Sequence, residues 1–424
     1  KIPVVLLYNV DPYWTQVEKE EVINLSTQLG HALIEVGYSI VFVPVSDDDI
    51  ANHLHSFDPS EHIVFNWCEG LPGLEHSEWL VAKRLEMLGF TFTGADSDTL
   101  ALAQDKYRVK VLLEQAGVAT PVWRIVHHTG PCEWNRFPAI VKPMNEHCSA
   151  GITRDAVVLN PIELENRIPF ILETYNQPAL VEDFIDGREF HVSVWGNEKL
   201  TVLPVAEMDF SFFGNIKDRL CTYDSKFIPG SDSYEKIETL LPAPLTREEK
   251  LAMEKVCCDA YRALGCRDYA RLDIRLRDNI FYVLDVNPNA DISHDASMAC
   301  AAEVAGISYG QMGSLFVRLA ARRPLRRTRP HQPIPTGSPH PLRCVPRPAS
   351  GPGRGLPGPA AARASLPPLR PPRPVEAGAW RRGPDGGDRR RVPRGAARPA
   401  PGRRGPPPGA RTPHRGARNP HPRT

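Results

Sequence analysis

The stretch from Arg271 to Asn289 constrains this chain more than any other. Between Arg271 and Leu276, polar and apolar residues alternate: Arg271, Asp273 and Arg275 against Leu272, Ile274 and Leu276. A period of two puts one set on each face of a strand. Asp278-Asn279 has turn chemistry, and Ile280 to Val286 returns. In its last part Asp285 and Asn287 fall on one face, Leu284 and Val286 on the other. The expected unit is a β-hairpin. Folded about Asn279, with a slip of one residue allowed, it sets Asp273 opposite Asp285 and Arg271 opposite Asn287. Opposed like charges destabilise a sheet. At a separation of ~5 Å and an effective dielectric of ~20, the repulsion is about 3 kcal/mol. Two arrangements relieve it. A divalent cation with all-oxygen ligands, Mg²⁺ or Mn²⁺ rather than zinc, would sit between the carboxylates and meet substrate phosphates. Alternatively, the face is solvated and carries one salt bridge to Arg271 or Arg275.

The net charge of +1 over 424 residues conceals two materials. From Arg322 to Thr424 there are 24 Arg, no Lys, three acids (Glu376, Asp385, Asp388) and 26 of the 43 Pro. The first 321 residues carry 27 basic and 47 acidic residues. Apolar residues beyond Arg323 are too sparse to offset chain entropy, so residues 322–424 are expected to form a disordered Arg/Pro/Gly-rich tail. An arginine-rich arm is one reading of it. Lys, however, vanishes while Arg, Pro, Gly and Ala swell, all of them residues with G/C-rich codons. A frame-shifted or non-homologous extension is therefore favoured, with the genuine C-terminus lost from soon after Val317, and nucleic acid is not expected as a partner. No apolar run approaches the ~20 residues of a membrane span. Nine Cys without a CxxC pair suit reduced thiols and a cytoplasmic location. The opening Lys1 to Leu7 reads as a strand, and without an initiator Met the first few residues are expected to be missing or processed.

Residues 1–97 alternate strand and helix. Strands are expected over Ile2–Tyr8, Tyr38–Val43, His62–Asn66 and Thr91–Thr93, with helices over Gln16–Val36 and Glu78–Leu88. That order implies a parallel, doubly wound sheet with ligands at the carboxyl ends of its strands, where Phe65 to Gly70 lies. No GxGxxG follows the first strand, which weakens a dinucleotide reading. A helix over Asp105–Gln115 precedes the strand Phe137–Pro143, which ends in Lys142-Pro143 before the small polar loop Asn145–Gly151. A lysine in that place is a phosphate site or an edge-strand surface residue. A return strand is expected over Ile152–Leu159, then strands through Ala179–Phe190, His191–Trp195 and Leu200–Met208. Gly214–Pro242 reads as a long loop of the kind that serves as a lid, with Lys226 inside it. Thr246 and Glu249 form the capping pattern of a helix over Arg247–Leu264. The last helical patterns are Asp295–Ala305 and Ser308–Ala321.

In order and spacing, several pieces together resemble the ATP-grasp superfamily, and within it the D-alanine–D-alanine ligase-like branch. They are Phe65-Asn66 with Glu69-Gly70, Asp105-Lys106, Val141-Lys142-Pro143, Glu182 to Ile185 with Glu189-Phe190, Lys226, Arg271-Leu272-Asp273 and Asp285 to Asn289. The likeness covers roughly residues 60 to 321. It implies an α/β (α+β) ATP-grasp fold. The parts would be an N-terminal parallel domain over 1–97, a central ATP-binding subdomain over 98–185 and an antiparallel-sheet catalytic subdomain over 186–321. It implies that Lys106 and Lys142 contact ATP phosphates and that Glu182 lies near the adenine amino group. Backbone groups of Asp183 and Ile185 would hold the base, and Glu189 would accept from the ribose hydroxyls. Lys226 would reach the γ-phosphate, Asp273, Asp285 and Asn287 would bind two Mg²⁺ or Mn²⁺ ions, and Arg271 would stabilise the oxyanion. The implied reaction joins a carboxylate and an amine, amino acids or a short peptide, through an acyl phosphate, and family members are often homodimers.

The chain departs from that branch in three places. Tyr8-Asn9-Val10-Asp11-Pro12-Tyr13-Trp14 stands where the branch has a glycine-rich segment that grips the first amino acid. The glycine-rich loop after Lys142 is reduced to Gly151, with His147 and Cys148 in place of small residues. Phe227 follows Lys226 where a hydroxyl-bearing aromatic is usual. A D-alanine substrate therefore does not follow. A carboxylate kinase or ester-forming ligase, and a non-catalytic nucleotide-binding regulator, are the competing readings. The complete Asp273, Asp285 and Asn287 set speaks against the last of these.

Overall fold

A computed structural model describes residues 2–323, apart from 147–148, 223–224 and 226–229. The expectations placed on His147, Cys148, Lys226, Phe227 and the tail from 324 fall outside those residues.

The first sheet is parallel, in the order β2-β1-β3-β4. Its strands are β1 (Val4–Asn9), β2 (Ile40–Val45), β3 (Ile63–Trp67) and β4 (Thr91–Phe92). β1 reads Val-Val-Leu-Leu-Tyr-Asn and is buried throughout, as a parallel strand covered on both faces must be. Helices α1 (Gln16–Glu35), α2 (Ile50–Leu54) and α3 (Glu78–Met87) make the connections. Thr15 and Glu18 cap α1 reciprocally, and Gly37, at φ 90°, turns the chain out of it.

Helices α4 (Ser97–Ala103) and α5 (Lys106–Gln115) lead to an antiparallel sheet in the order β5-β8-β6-β7. It comprises β5 (Trp123–Val126), β6 (Ala139–Pro143), β7 (Val157–Val158) and β8 (Ala179–Asp183). The strand expected over Ile152–Leu159 shrinks to two residues because Arg154–Ala156 coils as a 3-10 turn. Helix α6 (Pro161–Tyr175) packs Leu164, Ile168 and Ile171 onto this sheet.

The third sheet is antiparallel, in the order β12-β11-β9-β13-β14, with β10 on β9. Its strands are β9 (Arg188–Gly196), β10 (Leu200–Val202), β11 (Ala206–Asp209), β12 (Glu238–Leu240), β13 (Tyr269–Arg277) and β14 (Ile280–Pro288). The single strand expected over Leu200–Met208 breaks around Pro204, which has no amide to give a ladder. The stretch Gly214–Pro242, expected as loop, holds a short helix, α7 (Asp232–Lys236), and β12, which pairs with β11. Helix α8 (Arg247–Ala263), capped by Thr246 and Glu249 as its sequence predicts, buries Met253, Cys257 and Ala260 against the sheet.

After β14 come α9 (Ser297–Val304) and α10 (Tyr309–Arg322). α10 returns to the first sheet. At Gly310 a Cβ would stand 2.2 Å from the Ala32 carbonyl oxygen, so only glycine admits the approach to α1. Met312, Phe316 and Ala320 then join Leu6, Leu29 and Leu33 in one core. Packing continues past Val317 to Ala320, and Arg323 ion-pairs with buried Asp268 at 2.5 Å. Among the described residues no helix is long and apolar enough to cross a membrane.

Candidate active site

β13 and β14 pair as the alternation predicts, Asp273 facing Asp285 and Arg271 facing Asn287. A simple hairpin would not do this. The two-residue turn has Asp278 and Asn279 at φ 53° and 61°, the left-handed values of a type I′ turn. From it Arg277 pairs with Ile280 and Ile274 with Val283. An unbroken ladder would then set Leu284 opposite Asp273 and send Asp285 to the other face. Instead the register shifts between Ile274 and Asp273, and Leu284 is the extra, bulged residue. The bulged backbone is anchored from outside the sheet. The Val283 amide donates to the Ala119 carbonyl at 2.9 Å, Thr120 Oγ1 donates to the Val283 carbonyl at 2.9 Å, and Lys110 Nζ lies 3.4 Å from the Leu284 carbonyl.

β9 extends the array. His191 lies opposite Asp273, Ser193 opposite Arg271 and Glu189 opposite Arg275, so rows of polar side chains cross three strands. Arg271 grips Asp273 with two bonds, 2.8 Å from Nε and 3.1 Å from Nη2, and Asn287 Nδ2 is 3.3 Å from the same carboxylate. This is the salt bridge of the second reading, and it engages only one of the two acids. Asp285 accepts from the Val286 amide at 3.1 Å and, among the described residues, forms no ion pair.

Behind this pair lies a second charged group. Glu182 on β8 binds Lys142 of β6 at 2.6 Å through Oε2 and Lys110 of α5 at 2.5 Å through Oε1. Burial would raise its pKa, but the two ammonium groups outweigh burial and hold the carboxyl down to about 2. Burial would likewise lower the pKa of Lys142, yet Glu182, Asp285 and Asp273 lift it above its usual value. Lys106, in the first turn of α5, donates to the Glu146 carbonyl. Burial lowers its pKa, against the pull of Asp285. Lys110 is absent from the residues the sequence points to, although its spacing of four from Lys106 puts both on one helix face. Its burial, to 1 % exposure, demands the anion it finds in Glu182.

At the other end of the sheet, Arg277 holds Asp183 at 2.6 Å. Arg275 donates from Nε to Glu189 Oε2 at 2.7 Å and from Nη1 to the Ile185 carbonyl at 2.9 Å. It lies over the rings of Phe184 and Phe210, 4.7 and 5.4 Å from their centroids. Arg275 thus serves Glu189 and Ile185, not the paired aspartates to which the alternation offers it. Burial would raise the Glu189 pKa, and Arg275 and His191 hold it down to about 2.

The first sheet contributes a further wall. Asn289, at φ 53°, accepts from the Ala95 amide at 2.7 Å and donates to Glu78 at 3.1 Å. Asn9 accepts from the Glu69 amide at 3.1 Å. Glu69, Glu78 and Asp291 form no ion pair among the described residues. Burial, then the charge of Asp291, raises Glu69 to about 7. Burial, with Glu69 adding to it against the Asn289 bond, raises Glu78 to about 8. Burial also raises Asp291. Glu69 is exposed and Glu78 and Asp291 are half-buried, so these acids lie where the protein meets solvent and not in the core. Glu78 and Asp291 escape the sequence reading because a lone acid on a helix or after a strand looks like any solvated charge.

Comparison with known proteins agrees with this geometry. The family described as D-ala D-ala ligase C-terminus matches residues 112–317. "Uncharacterized protein y4sG" of Sinorhizobium fredii is 33% identical over 302 residues, 69% of this chain and 86% of that protein. The D-alanine–D-alanine ligase of Pseudothermotoga lettingae is 28% identical over 310 residues, 72% of this chain and 97% of the relative. The crystal structure of D-alanine–D-alanine ligase from Bacillus anthracis complexed with ATP superposes with a TM-score of 0.58 at 20% identity, over 76% of this chain and 98% of that one, and shows the shared fold. The D-alanine–D-alanine ligase of a Marinomonas species is 32% identical over 248 residues, 57% of this chain and 73% of that protein, and with the hairpin, the lysine-bound carboxylate and the three sheets it shows that this chain belongs to the D-alanine–D-alanine ligase family of ATP-grasp enzymes and is an ATP-dependent ligase that forms amide bonds.

Proposed function

We propose that the enzyme activates the carboxylate of an amino acid or short peptide as an acyl phosphate and transfers the acyl group to an amine. The observation that carries this is the row Asp273–Asp285, with Asn287, set beside Lys106 and Lys142. A carboxylate oxygen of the substrate attacks the γ-phosphorus, ADP leaves, and the amine then displaces phosphate from the acyl carbon. Lys106 and Lys142 bind the phosphates, and Lys110 and Glu182 keep Lys142 charged and in place. Backbone groups of Asp183 and Ile185 face the base, with Glu182 beneath its amino group. Glu189 takes the ribose, which requires Arg275 to share that carboxylate. Arg271 stands beside the metal carboxylates, where it balances the negative charge that builds on the reacting oxygens. Lys226 completes the γ-phosphate contacts.

Oxygen donors with one unpaired carboxylate suit Mg²⁺ or Mn²⁺, and a pair of such ions would neutralise phosphate charge. We assign residues 1–97, 98–185 and 186–321 to the N-terminal domain and the two ATP-grasp subdomains. The cleft lined by Glu69, Glu78 and Asp291 holds the amino-acid substrates. The seven described cysteines are all free, which suits the cytoplasm, and a homodimer is the assembly proposed.

Asp285→Ala and Asn287→Ala should keep the circular dichroism of the wild type and lower magnesium-dependent ADP release at least ~100-fold. Undiminished turnover in either variant would sink the metal site. A screen of amino-acid pairs for ADP release, with products identified by mass spectrometry, names the substrates.

A further inference from the structure

Glu189, His191 and Cys221 bring an oxygen, a nitrogen and a sulfur ligand atom within 4.8 Å of one another. Glu189 and His191 are alternate residues of β9 and share its face, each 5 % exposed. Cys221 is half-buried, and Ser149 Oγ holds its backbone carbonyl at 3.0 Å. The two oxygens of Glu189 divide their duties. Oε2 is bound to Arg275, while Oε1 faces His191 Nε2 at 3.7 Å. The 3.7 Å separation is within the ~3.3–3.8 Å between neighbouring ligands of one tetrahedral ion with bonds of ~2.0–2.3 Å.

Thiolate, imidazole and carboxylate make a borderline-soft set that selects Zn²⁺ over Mg²⁺ or Mn²⁺. The neighbouring Asp273, Asp285 and Asn287 offer oxygen alone. We propose that Glu189, His191 and Cys221 form a zinc site, with three protein ligands and an open fourth position, beside the nucleotide cleft. Zinc and nucleotide then compete for Glu189. That consequence rests on the ribose role given to Glu189 above, whereas the zinc site does not.

Equilibrium dialysis of the full-length protein against zinc chloride in excess magnesium chloride should retain one zinc per chain. Cys221→Ser and His191→Gln should each weaken zinc binding at least tenfold, and Cys258→Ser, on α8, should leave it unchanged. Cobalt(II) in place of zinc should give a thiolate charge-transfer band that Cys221→Ser abolishes. The Ser variant changes a half-buried position, so it decides the matter even where His191→Gln fails to fold. Zinc binding unaltered by Cys221→Ser, or zinc fully displaced by magnesium, overturns the site. ATP should release zinc from the loaded protein. If these side chains hold zinc and ATP leaves it in place, the site stands and the ribose role of Glu189 falls.

Discussion

Two lysines share one carboxylate at Glu182, and the sharing has a definite dependence on pH. The carboxyl is held down to about 2 from an ordinary 4.5, so the folded state favours its ionised form. The stability this supplies is complete above about 4.5 and is lost as pH falls through that value toward about 2. Glu182→Gln leaves two buried ammonium groups without their anion and should cost about 3–5 kcal/mol at neutral pH. Urea unfolding at a series of pH values should show the wild type weakening between pH 4.5 and 2 more steeply than the variant. Equal slopes would mean that the ion pair does not carry the acid sensitivity. The same residue marks the reach of sequence reading. Glu182 and Lys142 stand out by their motifs, but the second lysine is found only through the tertiary fold, because α5 meets β8 across a gap of some seventy residues.

The hairpin was legible because its alternation leaves one face to be polar, and polar residues at a period of two have no other explanation. What alternation could not reveal is the bulge at Leu284, since one extra residue in a ladder has no signature beyond the slip it causes. Proline hid other elements. Pro169 interrupts the apolar period of α6, which the sequence does not announce, and Pro204 divides a strand that hydropathy reads as continuous. The turn offers a direct check. Asn279 sits at φ 61°, so Asn279→Val forces a β-branched residue into the left-handed region and should cost about 1–3 kcal/mol. Asn279→Gly should be neutral or slightly stabilising. Differential scanning calorimetry distinguishes the two, and a Val variant as stable as the Gly variant would contradict the turn type.

At the scale of the molecule, α10, the last described helix, completes the core beneath the first sheet. Arg323 closes it by pairing with Asp268, which is fully buried, and by donating to the Phe92 carbonyl. Arg323→Ala leaves that carboxylate, among the described residues, with its bonds to the Gly94 amide and Asn197 and the nearby charge of Arg267, and should cost about 1–3 kcal/mol in thermal or chemical unfolding. A chain ending at residue 323 should match the full-length protein in melting temperature and in ADP release, whereas one ending at Val317 should melt earlier. If the shorter chain melts with the full-length one, α10 does not hold the domain in the way its packing implies. The join between α10 and the first sheet also has a consequence in time. Val4, Leu6, Leu29 and Leu33 share their core with Met312, Phe316 and Ala320, so the first strand leaves the ribosome without the surface that will cover it. At roughly 5–20 residues per second, synthesis of the intervening chain takes about 15–60 s. For that interval the newborn protein carries an uncovered apolar flank, and the order of translation opposes the order of assembly.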